Sequence, residues 1–173
     1  MFDIKTSRDF YQKLLEDFAD LQDDPRSARL AINCCITAYH MHEWVWGDWL
    51  KTDYATWKNF GIRDKETFLS WLDENEPWFQ LMQDICNGSK HFDRKASQQT
   101  KVAGGFDSGR FDETAFDSQQ LEIEAQVGEH KTWILAEIVI ESVVKFWRDF
   151  FQEYSPYKND LPASRAHFTD FKS

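Results

Sequence analysis

The stretch Ile134-Leu135-Ala136-Glu137-Ile138-Val139-Ile140-Glu141-Ser142-Val143-Val144-Lys145-Phe146-Trp147-Arg148-Asp149-Phe150-Phe151-Gln152-Glu153-Tyr154 decides the fold. Its apolar residues recur every three or four positions, which is the period of an α-helix. Leu135, Ile138, Val139, Val143, Phe146 and Phe150 make one stripe, and Ile140, Val144, Trp147 and Phe151 make a second. A helix with two apolar stripes needs neighbours on two sides, so it belongs inside a helical bundle. Ser155-Pro156 ends it, because proline lacks the N–H and crowds the preceding turn.

Working outward, the residues just before this helix change period. Leu121, Ile123 and Ala125 alternate with Glu122, Glu124 and Gln126, the pattern of a half-exposed strand. Gly128-Glu129 reads as a turn into a partner strand around residues 131–133, giving a small hairpin. Residues 93–119 show no helical period and hold Gln98, Gln99, Gly104, Gly105, Ser108 and Gly109, so they read as a long mobile loop. Upstream, Phe10, Leu14, Phe18 and Leu21 predict a first helix capped by Thr6 or Ser7 and ending near Asp23. Asp24-Pro25 reads as the cap and first residue of a second helix running to about Leu50, apolar on most sides and therefore central. Residues 51–64 predict a short amphipathic turn ended by Gly61, followed by a helix capped by Asp64. Glu76-Pro77 marks a restart, with a helix from Trp78 to about His91. Gly88 near its end costs about 1 kcal/mol relative to Ala if helical, which hints at a close approach or a helix end.

The expected fold is thus mainly α: a bundle of four to five helices with a small β-hairpin before the last long helix. One domain spans residues 1–154, with the loop at 93–119 and the hairpin at 120–133. Residues 155–173 form a polar C-terminal tail, loosely held.

Composition narrows the function classes. The 173 residues carry 30 acidic and 20 basic side chains, a formal net charge of −10, and 16% are aromatic. That apolar bulk excludes a disordered chain. The acidic balance argues against a general nucleic-acid coat or a binder of anionic membranes. The longest uncharged run, Leu30 to His42, falls short of the roughly 18 apolar residues of a membrane span. Cys34, Cys35 and Cys86 have no paired spacing and read as reduced, buried thiols. A cytoplasmic protein is expected. The aromatic surplus suggests a homodimer.

Chemistry concentrates in two places. In the second helix, Asn33, Thr37, His40 and Trp44 share one face by spacings of four, three and four. His40 and Glu43 are one turn apart, but no second helix carries a matching Glu-x-x-His, so no metal and no cofactor are expected. The second place is Asp84-Ile85-Cys86-Asn87-Gly88-Ser89-Lys90-His91-Phe92, where Asn87, Lys90 and His91 gather at a helix end. Histidine titrates near neutrality and can act as acid or base, and a lysine can hold a phosphate. Arg94, Lys95, Lys101 and Arg110 follow, so residues 90–110 carry five basic and two acidic groups. This is a basic segment in an acidic protein. Asn33, His40, Asn87, Arg94, Lys95 and Lys101 are the candidate ligand-binding residues. His91 and Lys90 are the candidate catalytic pair.

Ala38-Tyr39-His40 with Glu43-Trp44, then Asp84 to Phe92, then the hairpin and Phe146-Trp147-Arg148-Asp149-Phe150-Phe151, together resemble a group of uncharacterised bacterial and phage-associated helical proteins. These in turn look like the HEPN (higher eukaryotes and prokaryotes nucleotide-binding) superfamily. The resemblance spans roughly residues 6–154. It implies a helical bundle, commonly dimeric, and in many members a metal-independent ribonuclease of phage-defence or toxin–antitoxin systems. The family motif is an Arg, four to six residues, then a His. His91 matches the motif His, while the Arg would fall at Cys86, Ile85 or Asp84, none of them basic. The resemblance therefore implies binding of RNA, a nucleotide or a protein partner without the catalytic Arg. The alternatives are a ribonuclease using His91, with Lys90 as a point charge in place of the Arg fork, and a structural dimerisation module.

Overall fold

A computed structural model describes residues 3–90, 100–103 and 120–169. Six α-helices lie among them: α1 (Ser7–Asp23), α2 (Ala28–Asp48), α3 (Tyr54–Phe60), α4 (Lys65–Asn75), α5 (Phe79–Lys90) and α6 (Ala136–Tyr154). Strands β1 (Thr100–Ala103), β2 (Gln120–Val127) and β3 (His130–Leu135) precede α6. The protein is mainly helical, with an antiparallel β2–β3 hairpin leading into the last long helix, as its sequence predicts.

Local chemistry sets most boundaries. Thr6 accepts the Asp9 N–H while the Asp9 carboxylate accepts the Thr6 N–H, a reciprocal box that starts α1. Asp64 and Thr67 build the same box for α4. Gly61 ends α3 in the left-handed region at φ 69°, where a side chain would be strained. Gly88 falls in the last turn of α5, so its cost is met at a helix end.

Four expectations are corrected. The cap of α2 is Ser27, not Asp24. Asp24 and Pro25 instead make a turn that the Ser27 N–H closes onto the Asp24 carbonyl at 3.1 Å, and Ser27 Oγ accepts from Leu30 N–H. There are six α-helices among the described residues rather than four to five, because residues 54–60 complete two turns. The hairpin is part of a three-stranded sheet, since Thr100–Ala103 pairs antiparallel with β2, Val102 opposite Leu121. Otherwise the expected loop at 93–119 lies outside the described residues. Finally, residues 155–169 are not loosely held: Tyr157, Leu161, Ala166 and Phe168 pack on the core.

Helix α2 is the centre of the bundle. Cys34, Ala38, Met41 and Val45 are fully enclosed between α1, α5 and α6. From α1 come Leu14, Phe18 and Leu21, and from α6 Val143, Trp147 and Phe151. The Trp147 indole N–H donates to the Ala38 carbonyl at 2.9 Å, so the largest core side chain also meets its one polar need. Both stripes of α6 are used, except that Ile138 is exposed. Among the described residues, many aromatic rings pack on one another within the bundle. Trp46 stacks on Trp57, Phe60 on Trp71, and Tyr11 on Phe151, at centroid distances of 5.3, 4.3 and 4.6 Å. Tyr54 is the one exposed aromatic ring among the described side chains. No helix among the described residues is long and apolar enough to cross a membrane.

Candidate functional site

The polar face of α2 divides between two neighbours. Helical geometry of 100° per residue puts Thr37 and His40 about 60° apart, at opposite edges of one stripe. Thr37 turns to α1. Its hydroxyl is 2.5 Å from Asp17 Oδ2, and Lys13 Nζ donates to both Thr37 Oγ1 and Asp17, at 2.7 and 2.5 Å. Trp44 also turns to α1 and stacks on Phe10 at 4.7 Å. His40 turns instead to α5, where its Nε2 meets Cys86 Sγ at 3.4 Å. Asn33 sits between the two directions and is exposed.

Around His40 the α2–α5 seam is lined with paired polar groups. Glu43 Oε2 lies 3.7 Å from His40 Nδ1, and Lys65 Nζ from α4 donates to Glu43 Oε1 at 2.7 Å. That lysine bond holds the Glu43 carboxyl below its ordinary range, so it is a carboxylate at neutral pH. The nearby negative charge favours the His40 tautomer protonated at Nδ1, which leaves Nε2 to accept from the Cys86 thiol. Gln83 of α5 donates from Nε2 to the Tyr39 hydroxyl at 3.0 Å. Burial raises the Tyr39 pKa, so the phenol stays protonated. His42 is buried beside this seam, against the rings of Tyr39 and Phe79. Its Nδ1–H donates to the Tyr39 carbonyl at 2.6 Å, and burial holds its pKa below the usual value, so it is neutral at pH 7.

The three cysteines are buried thiols, none of them in a disulfide. Burial pushes the Cys35 thiol up to about 12 and the Cys34 thiol also upward, so neither is a nucleophile at neutral pH. Among the described residues no three His, Cys, Asp or Glu side chains gather as a group that could hold a metal ion.

The expected residues fare unequally. His40 lines the seam, half-buried with its side chain 27% exposed. The α5 residue that meets it is Cys86, while Asn87 is exposed, because one residue along a helix turns the side chain by 100°. Of the candidates near the end of α5, Asn87 therefore does not take the place opposite His40, which Cys86 fills. Lys90 is the last residue of α5, one turn beyond Cys86, and Lys101 stands in β1. His91, Arg94 and Lys95 lie outside the described residues. Of the positions where the family Arg would stand, Cys86 is fully buried, Ile85 packs against the core and Asp84 is an exposed acid. None offers a cation to a phosphate.

Lys65 and Gln83 were not singled out from sequence. Gln83 is three residues before Cys86, hence on the same face of α5, and that spacing could have found it. Nothing local marks Lys65, whose place depends on how α3 and the Gly61 turn bring α4 back over α2. No protein-family model, curated protein or solved structure matches this chain.

Proposed function

We propose that the chain is a HEPN-like domain that binds RNA without cleaving it, through the C-terminal end of α5 and the basic stretch that follows. The observation that carries this reading is the Cys86–His40 contact. It fills the place of the motif Arg with a buried thiol turned into the helix seam. A ribonuclease of this type needs a fixed cation on the scissile phosphate, and a bidentate guanidinium is suited to that where a thiol is not. Binding is less demanding. Lys90 closes α5, Lys101 follows in β1, and the sequence from 90 to 110 carries a net charge of +3 within an acidic chain. Such a segment gathers phosphates without reading their sequence.

Two measurements test the reading. Fluorescence anisotropy with a labelled single-stranded RNA at low salt should show saturable binding, weakened by Lys90→Ala and by Lys101→Ala. Unchanged affinity in both variants would point to a protein partner instead. Incubation of the same RNA with chelator should give identical background for wild type and His91→Ala. Cleavage by wild type above that of His91→Ala would replace the binding reading with a metal-independent ribonuclease.

A further inference from the structure

Residues 155–169 leave α6 and fold back across α1 and α6 without helix or strand. The last of them are held by a repeated device. The Gln22 amide brackets His167: its oxygen accepts the His167 N–H at 2.9 Å and its NH2 donates to the His167 carbonyl at 2.6 Å. Glu141 and Lys145, one turn apart on α6, bracket Thr169 in the same way. Glu141 Oε1 accepts the Thr169 N–H at 2.5 Å, and the Lys145 ammonium donates to the Thr169 carbonyl. Between the brackets, Phe168 lies against Phe18 at 5.9 Å, with the Arg148 guanidinium 4.8 Å from its ring centre. Three residues earlier, Arg165 spans Asp20 and Asp23 on α1.

This is the way a protein reads a short peptide: backbone groups are held whatever the sequence, and a few side chains confer specificity. Every anchor stands on a helix, and together they select an arginine followed three residues later by an aromatic ring. Glu141 is a buried carboxylate, and both its partners outside α6 are groups of Thr169. The α1 rim beside Arg165 is acidic, with Glu16, Asp20 and Asp23 along it. The outer anchors are weak enough to exchange. Arg165, Asp20 and Asp23 are all more than half exposed, and such ion pairs hold little. Beside Arg165 a cleft of about 440 Å³ stays open between Leu15, Glu16 and Asp20 on one side and residues 163–165 on the other.

We propose that the α1–α6 groove is a docking site for a partner protein's short peptide carrying an arginine and, three positions later, a phenylalanine, and that residues 165–169 of the chain occupy it in cis. The tethered segment acts at an effective concentration of order millimolar, so a free peptide binds well only when the tether is disabled. The proposal is separate from RNA binding, which is placed at α5.

The test uses a fluorescein-labelled peptide with the sequence of residues 161–169 and the full chain carrying R165A/F168A. Saturable binding is expected, at least ten-fold tighter than to wild type, and abolished when Gln22→Ala and Lys145→Ala are added. A peptide with the same residues in scrambled order should not bind. Absence of binding to the folded R165A/F168A chain, or equal binding of the scrambled peptide, overturns the proposal. Should R165A/F168A fail to fold, R165Q leaves Phe168 in place and carries the same test. Tighter binding than wild type is then expected, and equal binding refutes the groove.

Discussion

Helix α2 presents polar side chains to both α1 and α5, and the two contacts are built differently. Toward α1, the Thr37 hydroxyl, the Asp17 carboxylate and the Lys13 ammonium satisfy one another at 2.5–2.7 Å, and Thr37 is sealed. Toward α5, His40 keeps about a quarter of its surface open, meets the Cys86 thiol, and neighbours a carboxylate shared with the half-exposed Lys65. Closed polar networks hold helices in register, whereas half-open ones with a titratable ring can meet a ligand. One helix thus carries a structural contact on one edge of its polar stripe and a candidate site on the other.

That contrast can be broken by mutation. The largest effect is expected at the closed contact. Asp17→Ala leaves the buried Thr37 hydroxyl and Lys13 without their common acceptor, and should cost about 1–3 kcal/mol in urea unfolding. RNA affinity should not change. A drop in RNA affinity with stability intact would invert the assignment of the two edges.

A smaller effect, dependent on pH, is expected at His42, which is buried beside the open contact. Its folded pKa lies below the ordinary 6.5, so the unfolded chain binds the extra proton. Stability from this group is present above the unfolded pKa and lost as pH falls below about 6.5 toward the folded value. Wild type should therefore lose stability between pH 7 and pH 5. His42→Asn, which can still donate to the Tyr39 carbonyl, should flatten that slope. An unchanged slope would show that His42 takes up its proton as readily folded as unfolded.

The smallest effect is expected at Lys65. Its bond to Glu43 is short but both side chains are 40–50% exposed, so Lys65→Ala should cost about 0–1 kcal/mol. Its measurable consequence is on Glu43, whose carboxyl should titrate closer to its ordinary range by NMR. A Glu43 titration identical to wild type would remove the lysine from the site.

The sequence was legible where structure is local. Thr6 with Asp9, Asp64 with Thr67 and Gly61 each act within a few residues, and their helix boundaries follow from the residues alone. Asp24 misled because Asp-Pro and Ser27 are both good starts, and only the turn hydrogen bond between them chooses. The four residues of β1 are too few for alternation to stand out, and they are held by a partner seventeen or more positions away. The candidate site was half legible. His40 stood out as a polar residue in an apolar helix, but Thr37 and His40 share a stripe in sequence and divide only when α1 and α5 are both in place. Cys86 passed for an ordinary core residue because a thiol carries no charge to betray its partner. The docking of residues 165–169 was illegible, since it rests on Gln22, Asp20 and Glu141 from far along the chain.

Binding of RNA through phosphates by the end of α5 and the basic stretch after it, as proposed, makes affinity depend on salt. The decisive measurement is a salt titration of single-stranded RNA affinity for wild type and Lys90→Ala/Lys101→Ala. Wild-type affinity should fall linearly on a log–log plot. The double variant should bind more weakly with a slope shallower by about 1.4, because each phosphate that a lysine neutralises on a single strand adds roughly 0.7 to the slope. Affinity independent of salt, or an identical slope in the two proteins, would contradict the claim.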